Sequence, residues 1–195
     1  MKIKLIVGII SLFSVLSFGQ TGKVDDEVGV KRDFTTFFKN IKEKDIENAV
    51  NLVYPKYVNA VTREQVFKVL TLSYNNPAFI TDIQKFEINN VEKPEFIDGE
   101  YFSVVNYSFT MKFKIDWKVI HDAESVKQKM NDAVMTRYGK EYVKYFSDGD
   151  YYLINTGMKA CAVSKDQKNW KFLIVEKENR PQLTPLLLGK ILEKL

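Results

Sequence analysis

Between residues 105 and 116 apolar and polar side chains alternate without a break. Val105, Tyr107, Phe109, Met111, Phe113 and Ile115 fall on one side, Asn106, Ser108, Thr110, Lys112, Lys114 and Asp116 on the other. A period of two belongs to a strand with one face buried and one face in water, the arrangement of an antiparallel sheet covered on one side. Residues 79–91 supply a partner, joined through residues 92–99, where Pro94 and Asp98-Gly99 mark a turn. In that partner the apolar phase slips between Ile83 and Phe86, which predicts a bulge or strong bend.

Ahead of the strands the period is helical. From Asp33 onward, Phe34, Phe37, Phe38 and Ile41 recur at steps of three and four and build one aromatic face. A second, short helix starts at an Asp45 cap, with Asn48 at its third position and Ile46, Ala49, Val50 and Val53 as its apolar stripe; Tyr54-Pro55 ends it. A third opens on Thr62-Arg63-Glu64-Gln65, a capping-box arrangement, and carries Val66, Val69, Leu70 and Leu72 up to Asn75-Asn76-Pro77.

Residues 123–138 interrupt the strands with a helical stretch, Val126, Met130, Ala133 and Val134 on one face and Gly139 as its stop. Strand signals return at 142–146, 151–155, 158–163 and 170–175, separated in part by turns at 147–150 and 165–169. A last helix is expected from Thr184-Pro185, with Leu187, Leu188, Ile191, Leu192 and Leu195 on one stripe that has to be buried. With no repeat or linker in sight, residues 24–195 read as one α+β domain: N-terminal helices on an antiparallel sheet, an inserted helix and a C-terminal helix.

The first residues read as an export signal. Lys2 and Lys4 precede an apolar run from 5 to 16, and Ser17-Phe18-Gly19 supplies small residues at the third and first positions before a cut, so a signal peptide 1–19 is expected to leave Gln20 as the N-terminus. The run is short for a membrane-spanning helix of roughly 20 apolar residues, and no stable membrane span is expected after cleavage. The expected destination is the periplasm or the outside. Two of the lysines behind the formal charge of +4 belong to this leader, and the four arginines, Arg32, Arg63, Arg137 and Arg180, are scattered. The chain therefore lacks the tools for reading phosphates or bases, and nucleic acid is not an expected partner.

One histidine, His121, and one cysteine, Cys161, limit the chemistry. Common histidine-based metal sites cannot be assembled, no disulfide can form within the chain, and no phosphate-cradling or dinucleotide glycine motif is present, so neither metal nor cofactor is expected. Cys161 between two alanines reads as a small buried hydrophobe. His121-Asp122 reads as the start of the inserted helix, with Asp122 its cap. Asp148-Gly149-Asp150 lacks the further oxygen ligands of a calcium loop and reads as a turn. Asn106-Tyr107-Ser108 matches a glycosylation acceptor but lies inside the best strand.

Several of these segments carry a resemblance. The aromatic helix Phe34-Thr35-Thr36-Phe37-Phe38, Lys44-Asp45 opening the second helix, Tyr54-Pro55 closing it before a short extended link, and the later Gly139-Lys140-Glu141-Tyr142-Val143 and Asn169-Trp170-Lys171-Phe172 resemble an exported bacterial branch of the NTF2-like, cystatin-like cone superfamily. The resemblance implies three helices against a long curved sheet that forms a cone. It implies no single activity, because such folds host enzymes and binding modules alike. In the ketosteroid-isomerase-like members an Asp on the link between the second and third helices is the base. Here that link, Lys56-Tyr57-Val58-Asn59-Ala60-Val61, holds no carboxylate.

The expected role is a non-catalytic domain whose cone, lined by Phe34, Phe38, Tyr54 and Tyr57 from the helical half and by Tyr107, Phe109 and Met111 from the strand, is packed core or holds a small apolar ligand. A homodimer or another protein contact is the further option. The alternative is a cofactor-independent enzyme on a hydrophobic substrate, with Tyr57 or Tyr107 as donor and Asp116 or His121 as base. Against it, Asp116 falls on the wet face of its strand, opposite Tyr107.

Overall fold

A computed structural model describes residues 26–120, 123–175, 180–187 and 189–195. The expected leader and the His121-Asp122 pair lie outside the described residues.

Four helices come first: α1 (Asp26–Lys42), α2 (Ile46–Val50), α3 (Pro55–Val61) and α4 (Arg63–Tyr74). They precede β1 (Phe79–Val91), β2 (Glu95–Ile97) and β3 (Glu100–Ile115). After the inserted α5 (Ala123–Tyr138) come β4 (Val143–Phe146), β5 (Tyr151–Ser164) and β6 (Lys171–Val175), then the short α6 (Arg180–Leu183) and α7 (Gly189–Lys194). The six strands form one antiparallel, curved, unclosed sheet in the order β1-β3-β5-β4, with β2 on β3 and β6 on β5. The fold is α+β, as its alternating and helical periods predict.

The long central strand behaves as its alternation requires: Val105, Tyr107, Phe109, Met111 and Ile115 are all buried on the concave face. The slip in β1 is present as register shifts between Ile83 and Lys85 and between Ile88 and Asn90. The turn before β3 uses Asp98 and Gly99, both at positive φ, the geometry of a tight hairpin. β3 begins earlier than its alternating stretch, and Phe102, Ser103 and Val104 are consecutively buried. Alternation fails there because both faces of the sheet are covered.

Against the concave face lies α1. It starts at Asp26 rather than near Asp33, which adds buried Val30 to the Phe34, Phe37 and Ile41 stripe. Its N-terminal half approaches the β5–β6 turn closely: a Cβ on Gly29 would sit 3.0 Å from Trp170 Nε1, and the Trp170 amide donates to Asp33 Oδ2 at 2.9 Å. Asp45 caps α2 as expected, accepting from the Asn48 amide and from its side chain.

Four expectations need correction. The link 56–61 is not extended but helical, because Pro55 ends nothing when it sits at the first position of a helix, where its missing N–H is not required. The two strands expected at 151–155 and 158–163 are one, since Gly157 continues the ladder opposite Ser108; neighbouring pairs override the local weakness of a glycine. The strand expected from 142 starts at Val143, after a short 3₁₀ turn at Lys140–Tyr142. Thr184-Pro185 do not start the last helix. The Thr184 hydroxyl donates back to the Arg180 carbonyl at 3.2 Å and both Leu186 and Leu187 amides bond the Leu183 carbonyl, so these residues wind out of α6 and α7 starts at Gly189.

On the far face of the sheet a second core forms. Phe102, Cys161, Val163 and Leu173 from the strands meet Leu183, Leu187, Ile191 and Leu192 from the C-terminal segment. That segment is tied down by Arg180 donating to the Leu192 carbonyl, by Lys190 pairing with Glu95 at 3.1 Å and by Lys194 pairing with Glu92 and Glu95.

Candidate functional site

Tyr107, Phe109 and Met111 project from one face of β3 because they are two residues apart, and the facing helical layer does not fill the space in front of them. The result is a cavity of about 500 Å³. β5 adds Met158, directly opposite Tyr107 in the ladder, and the Tyr107 hydroxyl donates to its sulfur at 3.7 Å. Phe38 of α1 and Tyr57 of α3 close the sides. Phe38 is stacked on Phe86 at 4.2 Å and set edge-on to Tyr107 at 5.1 Å, so this wall is rigid.

The remaining wall is α4, and here the packing is loose. Thr62 caps the helix by accepting from the Gln65 amide, half of the expected capping box. Thr62 itself sits at φ 74°, an uncommon conformation for a β-branched residue. Of the apolar residues on α4 only Val66 is buried, while Phe67, Val69 and Leu72 are 39%, 61% and 50% exposed. Val69 and Leu72 nevertheless line the cavity, which gives it an apolar rim. The other side of the opening is the end of α5, where Arg137 and Tyr138 stand; Tyr138 is set edge-on to Phe109 at 6.4 Å.

The polar groups are few. Among the described residues the cavity lining contains no Asp, Glu or His, and its charged side chains are Lys68 and Arg137. Burial pushes the Tyr57 hydroxyl above its usual pKa, so it stays a neutral donor. A second cavity of about 520 Å³ adjoins the first along Tyr107, Arg137, Tyr138 and Met158. Its other walls are more polar and include Asn89, Asn106, Thr156 and Lys159.

Of the residues expected in the cone, Phe38, Tyr57, Tyr107, Phe109 and Met111 line the cavity. Phe34 is fully buried behind them, 4.9 Å from Phe172 and 5.1 Å from Tyr107. Tyr54 belongs to the far-face core. Its hydroxyl donates to Glu100 at 2.7 Å, as does the Lys56 ammonium at 2.7 Å. Burial would raise the Glu100 pKa, but the bonds from Lys56 and Tyr54 more than offset this and hold it below the usual range. Burial and the Glu100 bond push Tyr54 up to about 12. This cluster is internally paired and faces the second core.

Asp116, one candidate base, accepts from the Lys118 amide as the cap of a 3₁₀ turn and does not line the cavity. His121, the other, lies outside the described residues. Cys161 is completely buried, and burial pushes its thiol up to about 12, as expected of a packing residue. Among the described residues no group of three or more His, Cys, Asp and Glu could hold a metal ion, and no helix is long and apolar enough to cross a membrane. Met158, Arg137 and Tyr138 were not picked out by sequence reasoning. Met158 is recognisable only from the β3–β5 register, and Arg137 and Tyr138 only from where α5 ends.

Comparison with models of protein families, with curated proteins and with solved structures found no match to the chain. The cavity is therefore interpreted on its own chemistry. It is concave, mostly apolar and has few polar groups, the make-up of a small-molecule pocket.

Proposed function

We propose that this chain is an exported, non-catalytic domain of the NTF2-like cone type that holds a small apolar molecule between α4 and the concave face of the sheet. The observation that carries the reading is the unfilled 500 Å³ space with exposed Val69 and Leu72 at its rim. A packed core would place such residues against the sheet, since burying each is worth about 1.5–3 kcal/mol. Export is supported by the order Lys2-Lys4, apolar run, Ser17-Phe18-Gly19.

Native mass spectrometry of protein purified from the exported fraction tests both parts. The expected spectrum shows a chain beginning at Gln20 and carrying a lipid-like mass that is lost on organic extraction, after which an apolar fluorescent probe binds at one saturable site. Retention of residues 1–19 overturns export. A bare protein that binds no apolar probe overturns the ligand reading.

A further inference from the structure

In the order β1-β3-β5-β4 the first strand is an edge of the sheet, and at 13 residues it is a long one. Among the described residues, no backbone group of residues 80–91 bonds to anything other than β3. A free row of N–H and C=O groups is a template for another strand unless bulges, charges or proline spoil it. β1 spoils only its second half. There the register shifts between Ile83 and Lys85 and again between Ile88 and Asn90, and Lys85 pairs with Glu87 at 3.0 Å. Residues 79–83, by contrast, follow residues 111–115 without a shift. They hold neither lysine nor proline, and Ile80 among them is 49% exposed.

We infer that residues 79–83 are the contact through which two copies of this chain join, strand to strand and antiparallel, about a two-fold axis at Thr81. In that register the segment is complementary to itself. Residues directly opposite one another in an antiparallel pair share a face. On the concave side Phe79, which packs against Phe113 at 5.7 Å, meets the second copy's Ile83, and Thr81 meets its own equivalent. On the far side Ile80 meets the second copy's Asp82. Each Asp82 stands opposite Lys112 of its own β3, so the joint brings in no carboxylate without a neighbouring cation. Moving the axis one residue on would set the two Asp82 carboxylates against each other, and moving it one residue back would shorten the overlap. An unrelated strand would have to supply this alternation, whereas a second copy always does.

Sedimentation of the full chain over a concentration series, with amide hydrogen exchange on the same samples, tests this. The expected result is a monomer–dimer equilibrium with a dissociation constant on the order of micromolar, in keeping with a small non-obligate interface. As the dimer fills, amides of residues 79–83 should exchange severalfold more slowly while those of residues 85–91 do not change. Thr81→Cys should give a disulfide-linked dimer under mild oxidant, because the two equivalent side chains lie opposite each other on the axis and the native Cys161 is completely buried. Glu87→Cys should give none. Ile80→Asp places a carboxylate opposite the second copy's Asp82, twice per dimer, and should weaken the dimer about tenfold while leaving the far-UV circular dichroism unchanged. A chain that stays monomeric at the highest concentration overturns the proposal. So does a dimer that cross-links at residue 87 and not at 81, or one in which the amides of residues 79–83 exchange at the monomer's rate. The exchange comparison uses the native sequence, so it decides the matter even if a variant is unstable.

Discussion

Against the far face of the sheet the chain sets Leu183, Leu187, Ile191 and Leu192 and buries all four; against the concave face it sets α4 and buries only Val66 of that helix's apolar side chains. Both segments are short and amphipathic, and both could have been drawn onto the sheet by the same force. The far-face segment is closed down by Arg180, Lys190 and Lys194 on carbonyl and carboxylate partners. α4 is held at its start, where Arg63 pairs with Glu47 and Thr62 caps it, and at its end, where the Thr81 hydroxyl donates to the Tyr74 carbonyl; between them the exposed Val69 and Leu72 line a cavity. Where a face is filled to close packing it contributes stability; where it is left unfilled the apolar surface is available to something else.

The strongest way to break this comparison is to remove residues 185–195. Leu187, Ile191 and Leu192 lose their contacts, and at about 1.5–3 kcal/mol each the loss is comparable to a whole domain's net stability of roughly 5–15 kcal/mol. Thermal unfolding should show a large drop in Tm with no change in oligomeric state by sedimentation. Cys161, inert to iodoacetamide in the intact chain, should become reactive. A truncated chain that melts like the full one, or a dimer that falls to a monomer, means that the segment does not close its own domain.

Phe34→Ala follows in size. The ring is fully buried among Phe38, Tyr107 and Phe172, and its removal is expected to cost about 3–5 kcal/mol in urea unfolding. A loss below 1 kcal/mol would mean that the concave face is loose throughout, not only under α4.

Glu100 gives a smaller, pH-dependent effect on the far-face side. Its carboxylate, 8% exposed, is hydrogen-bonded by Tyr54 and Lys56 and titrates below its ordinary value. A depressed folded pKa contributes stability above the unfolded value of about 4.3 and loses it as pH falls through the folded one. Glu100→Gln should therefore lower stability by about 1 kcal/mol at neutral pH and flatten the acid limb of a Tm-against-pH curve. An unchanged acid limb would show that the carboxylate is not the group being titrated.

Val69→Ser and Leu72→Ser should have the smallest effect on folding, within about 0.5 kcal/mol, because both side chains are more than half solvated or nearly so. The same variants should weaken binding of an apolar probe severalfold in fluorescence titration. Destabilisation by more than 1 kcal/mol would mean that α4 is packed in solution and the cavity is not open.

Much of this architecture was legible because it rests on short-range periodicity. The alternation at 105–116 placed five of its six apolar residues in the buried core, the slip in residues 79–91 marked a real change of register, and the inserted helix spans Ala123–Tyr138 as read. Prolines misled twice, since Pro55 and Pro185 are compatible with both stopping and starting a helix, and the surrounding hydrogen bonds decided which. The split of residues 151–163 into two strands failed because the ladder with β3 runs on through Gly157. Of the seven expected cone residues five line the cavity, but the sequence could not separate Phe34 and Tyr54 from them, because an aromatic stripe looks alike whether it borders a space or fills it.

The succession of helices before strands, the buried face of the central strand, the apolar character of the C-terminal stripe and the small stock of reactive groups were set by the sequence alone, through residue type and spacing over a few positions. Which wall each aromatic occupies, the pairing of Tyr107 with Met158, the burial of Glu100 between Tyr54 and Lys56 and the meeting of two cavities at Arg137 were decided only by tertiary structure. These features join residues far apart in the chain, and their relation depends on strand register and on how far each helix stands from the sheet, distances that no local pattern of side chains encodes.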